Sequence, residues 1–514
     1  MSAQAASAPA QSHADVPHRG LITVSIMLAT IMQVLDTTIA NVALPSMTGD
    51  LSASRDTINW VLTSYIVAAA IMTPVTGWLA DRFGRKQLFL ISIAGFTITS
   101  MACGLAWNLN VMVGFRLLQG VFGAAIVPLS QTFLLDINPK EKHGQAMAIW
   151  GAGIMVGPIV GPTLGGYLTE YFNWRYVFFI NLPVGMLAFA GCLVYLPEAA
   201  KRLRKFDFFG FAMLSLGVGA LQLMLDRGGE VDWFSAMEIW IELALCITGF
   251  WVFIVHILTS DEAFIDPKIF LDRNFATGLI FIFIVGIVLL ASLALLPPML
   301  SNIFGYSTIS VGLVMAPRGV GTMISMLLVG RLVRMVDPRL LVTAGLGLTA
   351  YSLHMMTGFT PQMSSHLIIE TGIIQGLGLG LVFVPLSTVA FATLPPVYRT
   401  DATALFSLTR NIGSSIGISV VTVFLTRNIQ INHAELSTFI NPFNQQLLKV
   451  MPQQNSQMLE VMDNLVNQQA AMISYNNDFK LMMIITLAAI PLTLLLRKPN
   501  HAPSNDEEGA MVME

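Results

Sequence analysis

The sequence predicts an all-α membrane protein of about fourteen spanning helices, built as two related halves. Three observations lead there. Of 514 residues, 54% are hydrophobic and only 11% charged. Soluble domains carry about 25% charged residues, so this chain has too little polar surface to stay in water. The apolar residues fall into long runs, each near the roughly 20 residues that a bilayer demands of a helix. Two parts of the chain also resemble each other at a fixed offset. A net charge of −3 gives no hint of nucleic-acid binding.

The expected spans, in order, are 21–45, 57–79, 86–107, 110–134, 145–168, 175–196, 208–226, 237–258, 274–299, 309–333, 339–359, 366–393, 402–426 and 478–496. Basic clusters orient them, because cytoplasmic loops hold the excess of Lys and Arg. Arg82, Arg85 and Lys86, then Lys140 and Lys142, then Lys201, Arg202, Arg204 and Lys205, then Arg331, Arg334 and Arg339 all fall on one side. The opposite loops hold only Arg55, Arg175, Arg227, Arg427, Lys449 and Lys480. Both termini are then expected in the cytoplasm, in agreement with Arg497 and Lys498 after the last span.

The chain divides into an N-terminal tail (1–20), a first six-helix bundle (21–200), an inserted pair, helices 7 and 8 (201–272), and a second bundle (273–498). Within the second bundle, 427–477 is a Gln- and Asn-rich outer loop, with helix expected in segments such as 456–472. The tail 499–514 has the composition of a disordered segment. No cleavable signal peptide is evident: the first apolar stretch contains Asp36 and lacks a small-residue cleavage site. Cys103, Cys192 and Cys246 each sit in an apolar run without metal-ligand spacing, so neither a disulfide framework nor a metal site is expected.

The repeat offset is roughly 253–257 residues, the weak internal symmetry of transporter halves. RLLQGVFGAAIVPLS (116–130) aligns with GIIQGLGLGLVFVPLS (372–387), so Gln119-Gly120 matches Gln375-Gly376. Gly77 matches Gly330, each before a basic loop, and Pro45 matches Pro297 or Pro298. Two similar bundles can rock about a central site, the basis of alternating access.

Polar groups inside the spans mark candidate sites, because they are costly there. Helix 1 carries Gln33, Asp36, Thr37, Ala40 and Asn41 at spacings of three and four, which places them on one face toward a cavity. Asp36 is the candidate proton carrier; a static pair that only fixes helix packing is the alternative. Arg116 in helix 4 lies at similar depth and shares a face with Gln119, Gly120 and Gly123. It can pair with Asp36 or with another acid. In GWLADRFGRK (77–86), Gly77 permits close helix approach, and Asp81, Arg82 and Arg85 can gate as well as set topology. Helix 5 repeats Gly153, Gly157, Gly161 and Gly165, a smooth ridge for tight packing, bent by Pro158 and Pro162. Arg318 and Arg410 lie inside predicted helices and can contact substrate or balance an acid such as Glu370 or Asp478. Glu242 in helix 8 lies outside the bundles, and the 29 methionines receive no role. No phosphate-binding glycine loop ends in Lys-Ser or Lys-Thr, so ATP hydrolysis is not the expected driver. No catalytic residue or cofactor is expected.

Taken as a set, these segments resemble the 14-helix drug:proton antiporter branch of the major facilitator superfamily, the EmrB/QacA-like group. The resemblance rests on LDTTIANVALP (35–45), GWLADRFGRK (77–86), RLLQG (116–120) and GIMVGPIVGPTLGG (153–166). WRYVFFINLPVG (174–185), LDRG with DWF (225–234) and YNNDF (475–479) also fit, so it spans nearly the whole chain. LMLDRG and the HAEL…NPFN run (433–444) are similar to EmrB-type exporters. The resemblance implies the major facilitator fold, with two pseudo-symmetric six-helix bundles and two inserted helices. It further implies a bacterial inner-membrane multidrug exporter, docked to a periplasmic membrane-fusion adaptor of the EmrA type and through it to an outer-membrane channel. Arg318 in APRG and the degraded loop GRLVRMVDPR with displaced Asp337 depart from the pattern. A dedicated exporter of one metabolite such as a siderophore, a proton-coupled importer, and a non-transporting scaffold or receptor stay open as alternatives.

Overall fold

In a lipid core no water satisfies backbone polar groups, so a spanning segment must close its own hydrogen bonds. The computed structural model follows that rule, with no strand among the described residues, which are 17–54, 57–198, 201, 205–260, 263–440 and 456–496. The expectations for the tail 499–514, for most of 1–20, for Arg55, Arg202, Arg204, Lys449, Arg497 and Lys498, and for the centre of 427–477 lie outside the described residues.

The spanning helices are α1 (Arg19–Asp50), α2 (Trp60–Phe83), α3 (Arg85–Gly104), α4 (Leu109–Ile137), α5 (Lys140–Tyr171), α6 (Tyr176–Tyr195), α7 (Phe208–Arg227) and α8 (Met237–Thr259). They continue with α9 (Arg273–Asn302), α10 (Thr308–Leu332), α11 (Pro338–Met356), α12 (Ser365–Ala392), α13 (Arg399–Ser437) and α14 (Ser456–Ala489). Thirteen of the described helices are long and apolar enough to cross a membrane. The other is α11, whose Thr343, Gly345, Gly347, Thr349 and Ser352 make it less apolar; Gly345 brings it against the backbone of α12 at Gly378.

Prolines explain the irregularities, since each removes a backbone donor. A 3-10 turn at Thr73–Val75 interrupts α2 around Pro74. Helix α4 breaks before Pro128 and α5 before Pro158. Helices α1–α6 form one bundle and α9–α14 the other. The inserted α7 is not detached: it packs on α2 and α13, Ser419 donates to the Leu225 carbonyl oxygen, and Ser415 donates to Gln222.

The largest shifts in predicted boundaries fall at helices 13 and 14. Helix 13 was expected to stop at residue 426, yet α13 runs unbroken to Ser437, 39 residues in all. That is about 58 Å at 1.5 Å per residue, against about 30 Å of hydrocarbon. Helix α14 begins at Ser456, so much of the expected loop 427–477 is helix. Asn432 donates to Ser474 at 2.9 Å, tying the two helices together beyond the apolar stretch. Hydropathy locates where the apolar surface ends, and a solvated helix continues past it.

Candidate functional site

Asp36 lies in the interior of the first bundle, enclosed by α1, α4 and α6. Arg116 Nη1 donates to its Oδ2 at 2.7 Å. Gln119 Nε2 donates to Oδ1 at 2.9 Å, and Asn181 Nδ2 donates to the same oxygen at 2.7 Å. Asp36, Arg116 and Gln119 are all 0% exposed. Arg116 Nε also donates to the Val61 carbonyl oxygen, and Nη1 to Gln119 Oε1. Nη2 has no hydrogen-bond partner, but the Tyr65 ring lies over the guanidinium, 4.4 Å from its centroid. A desolvated cation–π contact of this kind is worth about 2 kcal/mol. Gly120 allows this placement: a Cβ there would lie 2.5 Å from the Tyr65 carbonyl oxygen. Of the two sequence alternatives for Arg116, pairing with Asp36 is the one observed.

A cavity of about 330 Å3 lies between the bundles. Val34, Ile66, Ile154, Met155, Leu289, Leu293, Met326 and Phe383 give it apolar walls, and Gln33, Thr37, Gln222 and Asn411 add polar points. Among the described residues, Arg410 is the one charged residue in its lining, and no carboxylate among them lies within ion-pair distance of it. Trp150 stacks on Phe383 across the two halves at 5.9 Å and donates to Ser130.

The expected polar face of helix 1 is split. Gln33 and Thr37 face the cavity, Asp36 points into the bundle, and Asn41 is exposed away from the cavity. The stripe is wide enough on a helical surface to serve two environments. Between them stands Tyr65, which lines the cavity and accepts a 2.9 Å hydrogen bond from Gln33 while covering Arg116. Among the other substrate candidates, Arg410 reaches the cavity. Gln119 instead belongs to the Asp36 network, and Arg318 and Gln375 are buried behind the cavity wall. Glu370 is exposed; Asp478 is fully buried, and neither of its oxygens has a hydrogen-bond partner. Arg318 and Arg410 therefore balance neither acid in this structure.

At the basic-loop end the halves are tied together. Asp136 at the end of α4 accepts from Arg85 and, at 2.7 Å, from Arg399 at the start of α13. Thr132 and Thr403 hydrogen-bond at 2.9 Å across the same seam. Gly77 leaves room for the Asp401 carboxylate, which any Cβ would strike. Arg82 is exposed, and Asp81 is half-buried. In α5, Gly153, Gly157, Gly161 and Gly165 all meet α1: Cβ atoms added at Gly157 and Gly165 would lie 2.7 Å from Val34 Cγ1 and 3.1 Å from Ile39 Cγ2. The ridge thus seats α5 beside Asp36's own helix, and Pro158 lines the cavity.

Sequence reasoning missed Asn181, Tyr65, Gln222, Asp136 and Arg399. Asn181 carried a usable signal, as an amide inside the apolar run WRYVFFINLPVG. Tyr65 and Gln222 carried none, because their roles depend on which helices become neighbours.

Residues 26–418 match the profile of the Major Facilitator Superfamily. The chain is 39% identical over 427 residues to the "Multidrug export protein EmrB" of Escherichia coli (strain K12), covering 82% of this chain and 83% of that one. It is 35% identical over 492 residues to the "Fatty acid resistance protein FarB" of Neisseria gonorrhoeae, covering 94% and 96%. Its fold is similar to that of the human organic anion transporter MFSD10 (TETRAN), with TM-score 0.59, 14% identity and coverage of 91% and 100%. The proton:xylose symporter XylE gives TM-score 0.56 at 14% identity, with coverage of 92% and 96%. At that identity the two structures speak for fold alone. A multi-pass chain of two six-helix bundles, matched by profile over most of its length and by relatives along its sequence, belongs to the Major Facilitator Superfamily, in its EmrB-like branch.

Proposed function

We propose that the chain is a proton-coupled multidrug efflux antiporter of the bacterial inner membrane, exporting lipophilic small molecules. The observation that carries this reading is the apolar cavity between the halves, separated from the Asp36–Arg116 pair by the single side chain of Tyr65. A lipophilic compound gains about 25 cal/mol for each Å2 of apolar surface it buries in such walls. A proton arriving on Asp36 displaces one of its three donors, loosens Arg116, and through Tyr65 and Gln33 changes the cavity wall. A membrane potential of 100 mV supplies about 2.3 kcal/mol per charge moved. The lone Arg410 favours neutral and anionic compounds over cations.

In this scheme the Asp136–Arg399 tie, together with Gly77, Asp81, Arg82 and Arg85, gates the cytoplasmic side, and both termini are cytoplasmic. The bundles at 21–200 and 273–498 are the two rocking bodies, with 201–272 inserted between them. The solvated ends of α13 and α14 then stand in the periplasm, where an EmrA-type adaptor linked to an outer-membrane channel would dock. The resemblance to EmrB-type exporters supports this assembly as an expectation for the chain. A panel of lipophilic compounds, applied to a pump-deleted strain expressing the chain, tests the reading. Raised tolerance to several unrelated compounds is expected; tolerance to a single metabolite alone would point to a dedicated exporter.

A further inference from the structure

The two halves treat their buried cation differently. In the first, Arg116 on α4 meets the Asp36 carboxylate on α1, and Gln119 donates to the same carboxylate. In the second, Gly372 and Gln375 on α12 hold the repeat positions of Arg116 and Gln119, while Arg318 on α10 holds that of Tyr65. The guanidinium thus reaches the bundle interior from the neighbouring helix. Gly372 and Gly376 make this possible: a Cβ at Gly372 would lie 3.3 Å from that of Arg318, and one at Gly376 would strike the Arg318 carbonyl oxygen.

What Arg318 lacks, among the described residues, is an acid beside it. Arg318 Nη2 donates to Ser292 Oγ at 2.8 Å and to the Leu289 carbonyl oxygen at 3.3 Å. Nη1 has no hydrogen-bond partner, and neither does either amide atom of Gln375. Arg318 is 4% exposed and Gln375 0%. Among the described residues no carboxylate lies within ion-pair distance of Arg318. A charge buried without a counter-charge is strongly unfavourable in a membrane interior. Access is short: Leu289, whose carbonyl oxygen accepts from the Arg318 guanidinium, itself lines the cavity.

We propose that Arg318, Ser292 and Gln375 form an anion site in the second half, taking a singly charged group of halide or carboxylate size that enters from the central cavity. The bound anion does for Arg318 what Asp36 does for Arg116, with the Gln375 amide as a further donor, while Ser292, which donates to the Leu289 carbonyl oxygen, holds the guanidinium in place. Two sources share this chemistry: inorganic chloride, and the carboxylate end of an amphiphile. The proposal does not depend on drug export.

Equilibrium binding of radiolabelled chloride and of radiolabelled octanoate to the purified full chain tests it, with octanol as the uncharged control. Saturable binding of at least one anion is expected, and which anion binds identifies the source. Arg318→Gln should weaken that binding about tenfold or more. Ser292→Asp places a carboxylate where Arg318 already donates, so it should weaken anion binding as much while keeping the thermal midpoint at or above wild type. If Arg318→Gln does not fold, Ser292→Asp decides alone. Absence of binding by both anions, octanol competing as well as octanoate, or undiminished binding in Ser292→Asp would overturn the proposal.

Discussion

Arg116 Nη1 lies 2.7 Å from the Asp36 carboxylate, and neither side chain is exposed. Removing one member of a buried pair strands the other, at a cost of about 3–5 kcal/mol, whereas removing both costs less than the sum. Asp36→Ala and Arg116→Leu should each lower the thermal midpoint in detergent strongly. The double variant should recover at least part of the loss. Additive losses would mean that the two side chains do not act as a pair.

Tyr65 joins that pair to the cavity through its ring and its hydroxyl. Tyr65→Phe keeps the ring over Arg116 and removes only the acceptor used by Gln33. Folding should survive, with a loss of about 0.5–1.5 kcal/mol, while the coupling of drug efflux to the pH gradient weakens. Drug binding and proton release, measured separately on purified protein, should both persist but influence each other less. Unchanged coupling would remove Tyr65 as the link.

Among the described residues, Arg410 is the one charged group lining the cavity. A hydrogen bond to a charged group contributes about 1.5–3 kcal/mol. Arg410→Gln should therefore raise the half-saturating concentration of anionic amphiphiles about tenfold or more and leave neutral compounds nearly unaffected. Binding titrations with a matched acid and alcohol check this. Equal loss for both would show that Arg410 holds the wall rather than the ligand.

The basic-loop seam is held by Asp136–Arg399 and by Thr132–Thr403. Arg399→Gln should open it. In a background lacking Cys103, Cys192 and Cys246, Thr132→Cys is buried in the closed form and should react several-fold faster with an impermeant maleimide applied to everted vesicles. No change in labelling would mean that this tie does not keep the seam shut.

Much of this molecule is legible in its sequence, because the bilayer forces apolar runs into helices and makes polar exceptions costly. The spans, Asp36, Arg116 and the ridge Gly153–Gly157–Gly161–Gly165 all follow from that. What is not legible is the third dimension of the helix contacts. One polar stripe turned out to face two environments, because Gln33 and Asp36 lie on either side of Tyr65. The extension of α13 to Ser437 carried no hydropathy signal, since Gln, Asn and His suit a solvated helix as well as a loop. The repeat places a buried arginine on α10 instead of α4 in the second half, but that Gly372 makes room for it depends on the helix packing.

The most direct measurement is drug efflux from proteoliposomes holding the purified chain, with an imposed pH gradient and a fluorescent lipophilic probe, wild type against Asp36→Asn. The asparagine keeps the size of the side chain and one acceptor oxygen for the surrounding donors, but its amide group cannot carry a proton through the cycle. Wild type should transport against the probe gradient only while the pH gradient stands, and Asp36→Asn should bind the probe yet fail to concentrate it. Gradient-driven transport at the wild-type rate in Asp36→Asn would contradict the role given to Asp36.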